Sequence, residues 1–327
     1  MQIRNELHTL GNLTEILKKA LTRVGVPGMS VAIYHKGEIV YAEGFGKRNA
    51  KGDPFTPETL MPIASVTKAF TATAIGEMVA EGKLDWDTTS VSKYLPEFEL
   101  KDPLLTSQLT FADLLSHRTG LPSIDMIWFR ATESRRDLIK RLRYLDVSSK
   151  LKATNLYNNG MYAVAGEAAS NVAGVPYEEL VTTKVLKPLG LHNSGFSPKE
   201  MRKNPNHAMP FRAQSWEEAQ RGEFVEGYLD EIYMADAPAG DMYSNVLDLL
   251  RWGRTIMNYG MIDGKQVLNK KSIEETLTPH SIFGGQTRDP EFAPALLYGL
   301  GWMLDSYKGQ VLYRHCTAAS SINGNLN

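Results

Sequence analysis

Apolar side chains first recur at helical spacing. Leu7, Leu10, Leu13, Ile16, Leu17 and Leu21 share one face, and Gly25 and Pro27 end the pattern, which predicts a surface helix over residues 4–23. The period then shortens. In MSVAIYHKGEIVYAEGFG, two β-rich runs (30–35 and 38–44) flank Lys36-Gly37, the signature of an antiparallel hairpin. Residues 64–81 are apolar on most sides (Val66, Phe70, Ala74, Ile75, Met78, Val79) and stop at Gly82, which predicts a central buried helix. Helical character continues for more than two hundred residues, with Thr110/Asp113 and Ser134/Asp137 as N-cap pairs. Further helices are expected over 160–173, 176–189 (bounded by Pro176 and Gly190) and 245–259. Strand character returns only at 298–307 and 310–315, on either side of Lys308-Gly309.

Strands at both ends around a helical middle imply a mixed α/β (α+β) chain. Its antiparallel sheet would be built from both termini, with a large helical insertion. The expected organisation is one domain over 1–327, with 24–64 and 298–327 in the sheet region and 65–297 mainly helical. No repeat or low-complexity linker interrupts it.

Composition narrows the function. With 43% hydrophobic and 22% charged residues, the 327-residue chain has an ordinary globular balance. Lys plus Arg number 36 against 37 Asp plus Glu, so no nucleic-acid partner is expected. The single cysteine, Cys316, excludes an internal disulfide. The N-terminal segment interleaves charge with apolar residues and has no signal-peptide core, and no window is long enough for a membrane span. A cytoplasmic location is the expectation from this; oligomeric state is left open.

The candidate chemistry begins at Ser65-Val66-Thr67-Lys68. On a helix, residues i and i+3 share a face, and a lysine there can serve as base or electrostatic support for a serine nucleophile. Roughly one such spacing is expected by chance in a chain this size, and Ser90/Lys93 and Ser149/Lys152 also match. Context separates them: only Ser65 opens the most apolar helix, where its lysine would be buried. Tyr157-Asn158-Asn159 follows in a Gly- and Asn-containing loop just before a helix. A tyrosine beside an ammonium is expected to have its pKa pulled down, and acting as a base at neutral pH would take about 4 kcal/mol of differential stabilisation. His315, at the end of the strand QVLYRH, is placed to orient substrate or donate a hydrogen bond.

Other chemistries lack support. There is no G-x-S-x-G elbow, Gly44-Phe45-Gly46 lacks a third glycine and a following helix, and the seven histidines show no metal-ligand spacing. No cofactor or metal is implied. The basic stripe Arg135, Arg136, Lys140, Arg141 and Arg143 reads as a solvated helix face.

Taken in order, S-V-T-K, Y-N-N and a strand-borne His-Cys-Thr resemble the serine β-lactamase and penicillin-binding-protein superfamily, in particular class C β-lactamases and D-aminopeptidase–esterase relatives. LTFADLLSHRTGLP, DAPAGDMYSNVLDLLRWG and YGLGW resemble connecting segments of the same family, from about residue 24 onward. The resemblance implies a β-lactamase/DD-peptidase-like fold and a serine hydrolase acting on a small-molecule or peptide ester or amide. Ser65 would be acylated, Lys68 and Tyr157 would move its proton, and Asn159 would bind the substrate. His315 would take the place of the lysine in the lactamases' K-T-G, and the N–H groups of Ser65 and Ala318 would form the oxyanion hole. Two departures stand out. Thr317 replaces the motif's glycine, with a branched Cβ expected to crowd the strand. The family's next strand and closing helix do not follow Asn327, so the C-terminal part of the sheet is expected to be truncated and the sheet split. The alternatives are therefore an impaired scaffold kept for binding or regulation, and an acyltransferase of the same family.

Overall fold

A computed structural model describes residues 11–123, 125–128, 132–227, 235–284 and 290–316. Thr317, Ala318 and residues 4–10 of the expected first helix lie outside the described residues.

Helix α1 (Leu13–Val24) ends on Gly25, whose left-handed backbone closes the last turn. It rests against the hairpin of β1 (Gly28–His35) and β2 (Glu38–Gly46), where Thr14 donates to Glu43 at 2.8 Å. Lys36 and Gly37 both take positive φ, the turn geometry that matches strand twist, and Lys308-Gly309 repeats it near the C-terminus.

Short β3 (Met61–Pro62) leads through a 3-10 turn (Ala64–Val66) into α2 (Thr67–Ala80). This helix is buried on nearly every side because it separates two cores. Ala72, Ile75 and Met78 face one core, and Ala69, Phe70 and Ala74 face the other. The first core is closed by α3 (Phe111–Leu115), α4 (Arg135–Arg141) and α5 (Asn159–Ala173). The expected caps are present at Thr110/Asp113, as a full capping box, and at Ser134/Asp137.

The helical middle is also crossed by strands that the periodicity did not predict. β4 (Gly195–Phe196) and β3 flank β5 (Met242–Ser244), which follows the short α6 (Ala237–Gly240). Two- and three-residue strands carry no readable alternation, so tertiary pairing alone defines them. The second core is completed by α7 (Val246–Met257), which lies on β1, and α8 (Lys270–Thr276). There Trp252 stacks on Phe70 with ring centroids 4.1 Å apart.

The last sheet has the order β6 (Ser281–Gly284), β7 (Leu296–Tyr298), β8 (Met303–Tyr307) and β9 (Gln310–Arg314), all antiparallel. The expected single strand over 298–307 is thus two strands. Gly301 turns between them at φ 80°, and a Cβ there would lie 2.7 Å from the Lys68 carbonyl oxygen. Glycine lets this turn press onto the backbone of α2. Antiparallel strands do lie at both ends of the chain, and among the described residues they form two sheets, the β1–β2 hairpin and the four-stranded sheet.

The basic stripe is not a solvated face throughout. Arg135 is nearly enclosed and pairs with Glu167 (3.2 Å) and Glu178 (2.6 Å), while Arg136 pairs with Glu97 (2.7 Å) and Glu167 (2.6 Å). Packing of α4 on α5 draws Arg135 inward, while Arg136 stays partly exposed. Lys140 and Arg141 remain at the surface. No helix among the described residues is long and apolar enough to cross a membrane.

Candidate active site

Ser65 stands in the 3-10 turn before α2, not within the helix proper. Its predecessor Ala64 has φ 41°, a left-handed conformation that costs a residue with a Cβ roughly 1 kcal/mol or more. The surroundings enforce it. Ile63 N–H donates to the Met242 carbonyl at 2.8 Å, and β3 pairs with β5, so the chain is turned sharply between a strand anchor and the helix start.

One turn on, the fully buried Lys68 brings Nζ to 3.1 Å from Ser65 Oγ, 2.7 Å from Asn159 Oδ1 and 2.8 Å from the Ala239 carbonyl oxygen. The Asn159 and Ala239 oxygens can only accept. They therefore occupy two N–H bonds of Lys68 in either protonation state. The third position, aimed at Ser65, is an N–H in the ammonium and a lone pair in the amine. Burial is the dominant influence and draws the Lys68 ammonium down to about 7, against the opposing negative charges of Asp236, Asp125 and Asp241. The same burial pushes the Asp236 and Asp241 carboxyls up, and one oxygen of each is buried without a hydrogen-bond partner.

Tyr157 donates its hydroxyl to Ser65 Oγ at 2.8 Å, and Lys68 Nζ lies 4.8 Å from its ring centroid. Its pKa moves opposite to the sequence expectation. Burial raises it, outweighing the hydrogen bond shared with Ser65, so the phenol keeps its proton. The expected downward pull assumed a permanent cation, whereas the cation itself is destabilised here.

Asn158 caps α5 by accepting from Met161 N–H, which places Asn159 at the helix start beside Lys68. Asn159 Nδ2 donates to Asp125 Oδ1 at 2.9 Å, fixing which end of the amide faces the lysine. His315 shares a hydrogen bond with Tyr298 Oη at 3.2 Å through Nε2, and its Nδ1 lies 2.8 Å from the Cys316 carbonyl oxygen. A carbonyl only accepts, so Nδ1 carries the proton and Nε2 accepts from the tyrosine. Burial, helped by the Lys68 charge, pushes the imidazole down to about 4, leaving it neutral at physiological pH.

Ser65, Lys68, Tyr157 and Asn159 are thus joined by one set of hydrogen bonds. His315 is held by Tyr298 at the end of β9, and Ala318 lies outside the described residues. Sequence reasoning passed over the Ala239 carbonyl, Asp125, Asp236 and His117. Among these, His117, Asp236 and Ala239 sit in the stretches LLSHRTGLP and DAPAGDMYSN that carried the resemblance, the one signal that pointed near them. No group of three or more His, Cys, Asp or Glu residues among those described could hold a metal ion.

The Beta-lactamase family profile matches residues 13–323. The unguisins hydrolase ungD' of Aspergillus campestris (strain IBT 28561) is 26% identical over a 329-residue alignment covering 93% of this chain and 56% of that protein. The putative penicillin-binding protein PbpX of Bacillus subtilis (strain 168) is 28% identical, with 80% of this chain and 61% of that protein covered. The chain spans about half the length of the curated relatives it matches. Among solved structures, the octameric penicillin-binding protein homologue from Pyrococcus abyssi superposes with TM-score 0.78 at 28% identity, covering 94% of this chain and 67% of that one. EstCE1, a hydrolase with promiscuous acyltransferase activity, superposes with TM-score 0.73 at 20% identity over 91% of this chain and 84% of its own, a likeness of fold.

Proposed function

We propose that this chain, which belongs to the Beta-lactamase family, is a serine hydrolase that cleaves an ester or amide through an acyl-enzyme on Ser65. The observation that carries this reading is the shared position of Ser65 Oγ, 3.1 Å from Lys68 Nζ and 2.8 Å from Tyr157 Oη.

With Lys68 as the neutral amine, its lone pair accepts the Ser65 proton while its two N–H bonds stay on Asn159 and Ala239. Oγ attacks the acyl carbon, a C–O bond forms, and the proton passes to Lys68. Tyr157, a protonated phenol already directed at Oγ, is the donor available to the departing alcohol or amine as the tetrahedral intermediate collapses. The Lys68 ammonium returns its proton to the Tyr157 phenolate, so the amine and the phenol both stand ready for the second half-reaction. Water then attacks the acyl-enzyme while Lys68 takes its proton, and as the ester C–O bond breaks Lys68 returns that proton to Ser65 Oγ, which leaves as the free hydroxyl. An impaired scaffold would have no use for a buried lysine whose charge costs free energy and whose remaining valence points at a serine.

The first test is hydrolysis of p-nitrophenyl acetate and butyrate, with Ser65→Ala alongside. Equal rates in both folded proteins would defeat the proposal. Two further results are expected. Because only the amine can accept a proton, kcat/KM should be level above the Lys68 midpoint of about 7 and fall by about tenfold per pH step below it. A profile flat between about pH 5.5 and 8.5 would remove Lys68 from the role of base. Tyr157→Phe should slow phenyl butyrate, whose leaving group needs a proton, by about a hundredfold, and p-nitrophenyl butyrate much less. A loss on phenyl butyrate within about threefold would clear Tyr157 of proton transfer.

A further inference from the structure

Tyr157 stands on an irregular segment, yet its hydroxyl is held to hydrogen-bonding distance of Ser65. Against it lies His117, a fully buried residue from the loop after α3. His117 has φ 58°, a strained conformation for a side chain branching at an aromatic ring, and such strain persists only where neighbours over-determine it.

Its contacts bracket Tyr157. The His117 carbonyl accepts from Leu156 N–H at 2.8 Å, one residue before the tyrosine. Its Nδ1 accepts from Asn158 N–H at 3.1 Å, one residue after. Between these two bonds the imidazole lies against the phenol ring, centroids 4.3 Å apart and tilted by 38°. The other side of the pocket is aromatic as well, with Tyr298 at 4.9 Å and Tyr162 at 5.2 Å.

Accepting at Nδ1 means that this nitrogen carries no proton, so the neutral ring has its proton on Nε2. That atom is buried with no hydrogen-bond partner. The groups facing the ring, Lys68, His315, Tyr157, Tyr162 and Tyr298, include two bases and three protonated phenols, and burial with the Lys68 charge pushes the imidazole far below its ordinary range. A second cation here would sit beside Lys68. His117 is therefore an acceptor and a wall, and its one ring proton, on the enclosed Nε2, is directed at no hydrogen-bond partner.

We propose that His117 is a positioning residue that sets the Tyr157–Asn159 arm on Ser65 and Lys68, by accepting the Asn158 N–H and packing on the Tyr157 ring. This rests on the role proposed above for Tyr157. It also gives the left-handed backbone a purpose: in this conformation the carbonyl and the ring of one residue reach the two amides flanking a third.

Two substitutions separate the contributions. His117→Phe keeps a ring and loses the acceptor, and His117→Asn restores an acceptor near the Nδ1 position and tolerates positive φ well. Folding is checked by circular dichroism and thermal melting. His117→Phe should slow phenyl butyrate about tenfold or more, with a smaller loss on p-nitrophenyl butyrate, reproducing the leaving-group signature of Tyr157→Phe, while His117→Asn should recover most of the rate. In a Tyr157→Phe background the same substitutions should cost less than about threefold, because the group they act through is gone. Should His117→Phe not fold, His117→Asn and His117→Ala carry the same cycle. Losses that multiply in the double variant, or fall equally on both esters, would overturn the proposal and make His117 a general packing residue. If Tyr157→Phe alone is within threefold of the parent, the role of Tyr157 fails first and this inference falls with it.

Discussion

Ser65→Ala is expected to lower p-nitrophenyl butyrate hydrolysis by about a thousandfold or more, the scale seen when a serine nucleophile is removed. It should also end covalent labelling by a fluorophosphonate. Alanine keeps the backbone and Cβ but removes the one oxygen that both Lys68 and Tyr157 address. The fold should tolerate this. Ser65 is only half-buried, and what it leaves behind is one free phenol O–H and one free lysine valence at the edge of the site. Intact-mass measurement of the labelled protein gives the reading. Labelling of Ser65→Ala at the stoichiometry of the parent would end the nucleophile assignment.

Lys68→Met carries the second large effect. Methionine matches the length of the side chain without its nitrogen, so a base that the proposal makes responsible for both half-reactions is lost. A fall of about a hundredfold to ten-thousandfold follows. Stability should respond differently. Asn159 Oδ1 and the Ala239 carbonyl lose a donor, at about 1–3 kcal/mol each, but a buried amine that prefers to be uncharged no longer has to be desolvated. The two nearly cancel, so the melting temperature should change little in either direction while activity collapses. A folded Lys68→Met protein active to within about threefold would leave the lysine a structural role only.

Much of this arrangement was legible in the chain. The hairpin, α2 and the caps at Thr110 and Ser134 follow from period and capping chemistry, which are local. Ser65 and Lys68 could be chosen over Ser90/Lys93 and Ser149/Lys152 because burial of the helix could be read from its apolar residues. What stayed hidden depends on distant pairing or on backbone conformation. The two-residue strands around β5 have no period to read, and the Gly301 turn inside YGLGW was indistinguishable from strand. His117 looked like any isolated histidine, because its function follows from a positive φ. The direction of the Tyr157 shift was misjudged for a related reason: proximity to lysine can be guessed from motifs, but the depth at which the pair lies cannot.

The hydrogen bonds at Lys68 also bear on when the proposed site assembles. Ser65 is three residues away, but Asn159 is 91 and Ala239 is 171 positions along the chain, and Tyr157 reaches Ser65 across 92. Loops of that length close late, after the local helices have formed. Lys68 therefore comes beside Ser65 with the local helix, but the contacts that bury it and the Tyr157 donor arrive only when the long loops shut, so the proposed nucleophile is completed late. On the proposed mechanism, a chain that is still exposed and liable to react with whatever it meets carries no armed nucleophile.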